Sequence, residues 1–420
     1  MSSSKKRKER DEDWEDEDPA REDESDGAFD GEEDDSDDGD ERDGGASDAS
    51  DDSEAEDEAF FVACTEGNLD ELKQMHEGGV GNPNMTEPEE GDTPLGVACR
   101  FGHLQVAKWL AQLGAKLDAA NNAGETALHE ACLHGDPATV EWLLGQSGIG
   151  DTAAQRDRQN AAGMTPLAFA SLQGHMVVVR LLADSGAKLD GVDSEGHTLM
   201  HLACSNGHVE TAKALADMGA PANQRDRAGR SPFHIACGSG HAEVAKWLHS
   251  ECKASVNDGD TAGATPLHFA CAAGNETLFE WLLSNGADAL KPNEDANTPL
   301  HYACQCGSME MVKRLLSAGA VPSTRNTDGD SPFLLACLGG HTAVAEHLHG
   351  LGEPVAQANN LGCSALLQAC AGGQLAMAKW LISKAPSELA RADSTGWTPL
   401  HICAENGHYD LAEWLIGQGE

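Results

Sequence analysis

Thirteen cysteines and eighteen histidines stand in this chain, enough for metal, disulfide or thiol chemistry if their spacing brings them together. Nine of the cysteines hold one position of a recurring pattern: Cys64, Cys99, Cys132, Cys204, Cys237, Cys271, Cys304, Cys337 and Cys370. Thiolates about 2.3 Å from one ion make a zinc site, and Cα atoms within about 7 Å permit a disulfide. Helices packed side by side lie about 8 to 10 Å apart. A ladder carried by successive helices is therefore too widely spaced for either, and we read it as small core hydrophobes. Cys252, Cys306, Cys363 and Cys403 lie off the ladder. Of these, Cys306 and Cys363 are the candidates for exposed thiols, but no histidine is placed to activate either, so they too are read as structural.

The histidines fall into two recurring roles, His129, His201, His234, His268, His301 and His401 in one, and His103, His175, His208, His241, His341 and His408 in the other. Both sets are expected to bond backbone between units. His347 and His349, two apart, point to different faces of a helix. The chain has no P-loop, Rossmann glycine motif, HExxH or GxSxG. No catalytic residue, cofactor site or metal site is expected.

The pattern that carries these residues is a repeat. A Thr or Ser opens a short helical stretch at Thr93, Thr126, Thr165, Thr198, Ser231, Thr265, Thr298, Ser331, Ser364 and Thr398, at intervals of 33, 39, 33, 33, 34, 33, 33, 33 and 34 residues. Each opener suits a helix N-cap, and a proline follows seven of them, as at Pro94 and Pro266. Apolar residues such as Leu267, Ala270 and Cys271 then recur at helical spacing. Nine residues after each opener stands a glycine, Gly102 to Gly407, suited to the left-handed conformation that ends a helix. A second amphipathic helix follows, as in AEVAKWLHS from Ala242, and a polar D-x-x-G stretch such as DSTGWTP from Asp393 suits a tight turn before the next opener. Trp109, Trp142, Trp247, Trp281, Trp380 and Trp414 recur in the second helix and are read as packing between units.

With TPLHFA from Thr265, TPLHYA from Thr298 and TPLHIC from Thr398, the chain closely resembles the ankyrin repeat family. The resemblance implies an all-α fold, an ankyrin-repeat solenoid of helix-turn-helix units with β-turn fingers, whose concave face binds proteins. Ten units begin near 88, 121, 160, 193, 226, 260, 293, 326, 359 and 393, after a degenerate N-terminal cap over 58–86. Two departures stand out. About six extra residues around Gly148 to Gln159 are expected to protrude as a loop or extend a helix, and Ala296 in place of the usual turn glycine is expected to loosen or reshape its finger. The last unit ends with the sequence, so it is either a C-terminal cap or the edge of a longer chain.

Ahead of the repeats, residues 1–58 hold 29 acidic and 7 basic residues, with Trp14 and Phe29 as their only aromatics. Such a segment cannot bury enough apolar surface to offset its ordering entropy, so 1–57 is read as an acidic disordered tail. The rest keeps 42 of the 71 acidic and 21 of the 28 basic residues. That field repels phosphates, which argues against direct nucleic-acid binding. No secretory signal and no run of 18 apolar residues occurs, so the protein is expected to be soluble and intracellular, cytoplasmic or nuclear or both, without membrane insertion. Lys5 to Lys8, KKRK, forms a short cluster of the nuclear-import type.

In the resembled family, partners are contacted by finger tips and by the ends of first helices. Here those ends carry Arg100 and Phe101, Leu133 and His134, and Leu172 and Gln173 in the early units, and Ala272 and Ala273 in the middle. Phe101, Leu133, Met164 and Leu172 are expected to form an exposed apolar patch that receives a partner. Arg156, Arg158, Arg225, Arg227 and Arg230 are expected to gather in adjacent fingers and to receive an acidic partner or the chain's own tail, which would be autoinhibition. Trp397 occupies a finger position, as a binding hot spot would. Ser53 has Glu56 three residues on, which suits an acid-directed kinase. Phosphate there would prime Ser50 and then Ser47. The leading expectation is a monomeric, non-enzymatic scaffold or adaptor binding protein partners. The alternative is an acidic nuclear chaperone-like protein whose tail binds basic partners such as histones.

Overall fold

The computed structural model describes residues 48–150 and 152–418, and the repeats lie within one compact unit, Glu56–Glu420. From Thr93 onward the chain is a succession of helix pairs, beginning with Pro94–Arg100 and Leu104–Gln112 and ending with Pro399–Glu405 and Tyr409–Gln418. All ten openers are N-caps in extended conformation. The glycine nine residues on has φ between 67° and 88° in every unit. Helix start and stop are thus set locally by a hydroxyl that accepts an orphan N–H and by a residue without Cβ.

First helices pack on first helices of the neighbouring units, and second helices on second helices. Between them lies one continuous core, in which the residue two after each opener, such as Leu128, Leu267 or Phe333, is 0 to 2% exposed up to Leu366. Each such side chain contributes about 1.5 to 3 kcal/mol by leaving water. The six tryptophans of the second helices lie half-buried against this core. Trp281, for instance, meets Phe233 and His249 of the preceding unit edge-on, and Trp380 meets Phe333 and His349. Among the described residues no strand forms, and isolated bridges such as Ala120 to Thr126 close only three fingers.

The helix Asp48–Glu66 begins within the segment that composition assigns to an acidic disordered tail. Two expectations are corrected. The extra residues after the second unit neither protrude nor lengthen a helix. They form a short helix, Ala153–Arg156, anchored by Ile149 at 4% exposure. Arg156 donates to the carbonyls of Ser185 and Gly186 at 2.7 and 2.8 Å, satisfying the C-terminal end of the next unit's second helix. The Ala296 finger keeps its shape. Ala296 adopts φ 59°, and its N–H donates to Asn293 at 3.0 Å as the glycines of other fingers do. The cost is a strained alanine rather than an altered turn.

Candidate protein-binding surface

Two histidine sets lace most units to their neighbours, one reaching forward and the other back. In the first, Nδ1 of His129, His201, His234, His268 and His301 accepts from the opener's N–H at 3.0 to 3.1 Å. The ring is therefore held with its proton on Nε2, which donates forward to a carbonyl at the junction with the next unit: Arg158, Arg230, Asp258, Asn297 or Asp330, at 2.9 to 3.3 Å. In the second set, His103, His175, His241, His341 and His408 reach back to Thr65, Leu133, Ser205, Gln305 and Ala371 of the unit before. Burial disfavours charge on the first set. His129, His268 and His301 are held down to about 4, and His201 and His234 below the usual imidazole value. These rings are mortar, not catalytic bases. Where Leu334 replaces the histidine, Ser331 Oγ instead donates at 2.7 Å to Oε1 of the buried Gln357, just ahead of the next unit.

All thirteen cysteines are free thiols, and the nine of the ladder are buried. Burial pushes Cys64 up to about 12 and the others of the ladder upward as well. Cys306 and Cys363 are half-buried rather than exposed, and the Cys306 thiol donates to Ala303. Among the described residues no group of three or more His, Cys, Asp or Glu side chains is placed to hold a metal ion.

The finger tips are joined by a backbone ladder. The N–H of one tip residue donates to the tip carbonyl of the preceding finger nine times in succession, from Asn122 to Glu90 through Ser394 to Leu361, at 2.8 to 3.1 Å. No side-chain pattern announces these bonds, and sequence reading missed them. It also missed the carboxylates around Arg100. Glu130, 2% exposed, accepts two bonds from that guanidinium at 2.7 and 2.8 Å, and Asp92, 6% exposed, lies 2.6 Å from it. Glu130 raises the guanidinium's proton affinity further. The only signal was an arginine at a first-helix end facing an acid in the next unit.

The expected patch is only partly present. Phe101 is 43% exposed. Leu133, Met164 and Leu172 are half-buried and pack against the core, and the carbonyls of Leu133 and Met164 serve the histidine lacing. Stacking of first helices sets Leu133 and Leu172 at the repeat position that Arg100 holds in the first unit, and Phe101 stands one residue on, level with His134 and Gln173. The arginine cluster dissolves, because backbone carbonyls take up its members. Arg156 is used as above, Arg158 donates to Asp118 O at 2.8 Å, and Arg225 donates to the carbonyl of Gly259 at 2.7 Å. Arg230 holds the buried Asp226 at 2.7 Å and touches His197 at 3.2 Å. Only Arg227 of the five is exposed with no bonded guanidinium among the described residues. Trp397 lies half-buried against the core beside His401, not projecting. Ser50 and Ser53 fall in the helix Asp48–Glu66, and Ser47 lies outside the described residues, as does Lys5 to Lys8.

Two-helix units that bury an apolar face only against their neighbours, with turns projecting along one edge, define a stacked-repeat protein of the interaction-module class. The family model "Ankyrin repeats (3 copies)" matches residues 60–155, 150–226, 218–293, 288–359 and 334–420, and the chain belongs to the ankyrin repeat family. Similar proteins include the human "Ankyrin repeat domain-containing protein 63", 34% identical over 94 residues, 22% of this chain and 24% of that one. "Ankyrin repeat and KH domain-containing protein mask-1" of Caenorhabditis elegans is 31% identical over 128 residues, 30% of this chain and 5% of that one. The "Probable 26S proteasome regulatory subunit p28" of Saccharomyces cerevisiae is 32% identical over 126 residues, 30% of this chain and 53% of its own. The chain thus spans about a quarter of the first of these and about half of the last. Ankyrin repeats generally mediate protein–protein interaction and are typically non-enzymatic. No helix among the described residues is long and apolar enough to cross a membrane.

Proposed function

We infer that this protein is an adaptor or scaffold that holds partner proteins along its first-helix ends and fingers. The observation that supports this is a division of labour within each unit. Opener, core Leu or Phe, ladder Cys and loop Gly recur because packing fixes them. The two residues at the first-helix end change from unit to unit, from Arg100 and Phe101 to Ala272 and Ala273 to Glu405 and Asn406. A surface held at constant spacing with varied chemistry suits recognition rather than a single reaction. Phe101, exposed beside the Arg100 ion pairs, is the anchor we assign.

The test is affinity capture by the full chain and by its Phe101→Ser variant, with partners compared by mass spectrometry. Loss of a defined set of proteins at unchanged thermal midpoint supports the reading. An unchanged set that disappears on deleting residues 1–47, and in about 0.5 M salt, where charges are screened beyond a few ångströms, would transfer the function to the acidic segment and to a chaperone-like role.

A further inference from the structure

The residue four after each opener lies on the side of the first helix that faces the fingers. Asn293 of the seventh finger donates to the Tyr302 hydroxyl at 3.3 Å, and Gln368 donates to Asp330 of the eighth at 3.1 Å. Toward either end of the stack this position is closed off. Val97, Phe169, Leu202 and Leu335 are 6 to 9% exposed, and Glu130 is held by Arg100. In the fifth to seventh units it carries Ile235, Phe269 and Tyr302, all half-buried. The first-helix ends beside them have shrunk to Gly238, Ala272 and Ala273, all exposed. A Cβ at Gly238 would stand 3.2 Å from Cδ1 of Phe269, inside van der Waals contact, so no side chain at that place covers the ring. The inner edges of the two rings are fixed, Phe269 on His234 and Tyr302 on His268, edge-on with centroids 5.6 Å apart. Three large side chains thus form a contiguous apolar strip without a lid, in a protein that caps the same position elsewhere.

Charge along the strip says what fits it. In other fingers the acids are neutralised, Asp92 and Glu130 by Arg100 and Asp226 by Arg230. Beside the strip they are not. Arg325 directs its guanidinium to the carbonyls of Gly329 and Ala358, and Lys291 donates to that of Asn257. Among the described residues, Glu294, Asp295, Asp328 and Asp330 are left without an ion pair. Asp295 and Asp328 hold the same place in successive tips, their carbonyls taking the N–H groups of Thr327 and Asn360 at 2.9 Å. Burial, then Asp295 and Asp260, push the Tyr302 phenol above its usual value, which sets that ring in a field of carboxylates. We propose that Ile235, Phe269 and Tyr302 dock a segment of a partner protein in which apolar side chains are followed by lysine or arginine, the cations lying between the Tyr302 ring and the carboxylates of Asp295, Asp328 and Asp330. An aromatic face attracts a cation, and paired charges fix the register of an otherwise non-directional apolar contact. The exposed Arg227 on the fifth finger sets the orientation, with the cationic end over the seventh and eighth fingers. The chain's own basic run, Lys5 to Lys8, has no apolar residue among or next to its charges and does not match the strip. The assignment rests on the reading of first-helix ends and fingers as the recognition surface, in units other than that of Phe101.

The probe is a phage library of random peptides of about twelve residues, which span about 40 Å when extended. It is selected on the full chain in about 0.3 M salt, where the distant acidic segment is screened. The peptide enriched most is then synthesised and titrated by fluorescence anisotropy. The expected sequences place apolar residues ahead of Lys or Arg. Binding should fall at least about tenfold in Phe269→Ser and in Asp295→Asn/Asp328→Asn. It should be unchanged in Phe101→Ser and in Glu310→Gln/Glu346→Gln, which removes the same charge from exposed positions on the second helices of the same two units. Asp295 and Asp328 make no side-chain bond among the described residues, so their amides decide the matter if Phe269→Ser does not fold. No enrichment, enriched peptides without cations, or an equal loss in both charge-matched variants overturns the proposal. Peptides lost with Phe101→Ser but not with Phe269→Ser uphold the first anchor and overturn this one. Tighter peptide binding once Lys5 to Lys8 are replaced by alanine, or sedimentation showing that the chain pairs with itself through Phe269, gives the strip to another occupant and overturns it too.

Discussion

Acid should unstack this protein through its buried histidines, and the size of the effect follows from their environment. His129, His268 and His301 sit at 0 to 1% exposure with values near 4 in the fold, against about 6.5 in an unfolded chain. Because the folded value lies below the unfolded one, between pH 6.5 and 4 the unfolded state binds protons that the folded state refuses. Stability is therefore present above pH 6.5 and is lost as pH falls through that window. At pH 5 the linkage amounts to about 2 kcal/mol per ring, or about 6 kcal/mol for the three, and His201 and His234 add to it with the same sign. The decisive variant is His268→Leu, a replacement the chain already carries at Leu334, which is fully buried at the equivalent position. At pH 7.5 it loses the bonds to Thr265 and Asn297 and should be less stable by about 1 to 3 kcal/mol. By pH 5 the gap to wild type should close by about 2 kcal/mol. Urea unfolding followed by far-UV circular dichroism at pH 7.5, 6 and 5 measures it. Parallel pH profiles for the two proteins would refute the assignment of the acid sensitivity to these rings.

Ala296→Gly relieves a left-handed alanine and should raise stability by about 0.5 to 1 kcal/mol, seen as a higher thermal midpoint. Arg100→Met leaves Glu130 buried without its partner and should cost about 3 to 5 kcal/mol, while Arg100→Met/Glu130→Met should recover most of that loss in urea melts. Of the thirteen thiols, only the half-buried Cys252, Cys306 and Cys363 should react with an aromatic disulfide reagent before unfolding, and the remaining ten only on denaturation. A native count above three would contradict the packing of the ladder.

The units were legible because their signals are local. A hydroxyl, a proline and a glycine at fixed offsets specify each helix pair without reference to its neighbours, as Thr298, Pro299 and Gly307 do. The joints were half legible. Histidines at regular spacing told of bonds between units, but not that one set reaches forward and the other back. Backbone ladders leave no trace in side-chain pattern, and the bond from Ser331 to Gln357, made where Leu334 displaces the histidine, is visible only once the chain is folded. The arginines misled because charge was counted without asking which carbonyls stood nearby. Arg156 and Arg225 are consumed by peptide oxygens that composition cannot reveal. Trp397 misled for a related reason, since a finger residue close to its own opener is also close to the core.

The nine tip-to-tip bonds run unbroken along one margin of the stack, while neighbouring second helices meet through side chains, by ring contacts such as His249 with Trp281 and by the exposed pair Arg314 and Glu280. Hydrogen bonds have steep, short-ranged stiffness, and apolar contacts slide more readily. Flexing is therefore taken up on the second-helix margin, with the tips as a nearly inextensible edge. A few degrees of tilt at each joint sum over ten units, so a large ligand can be embraced by a distributed bend that breaks no single bond.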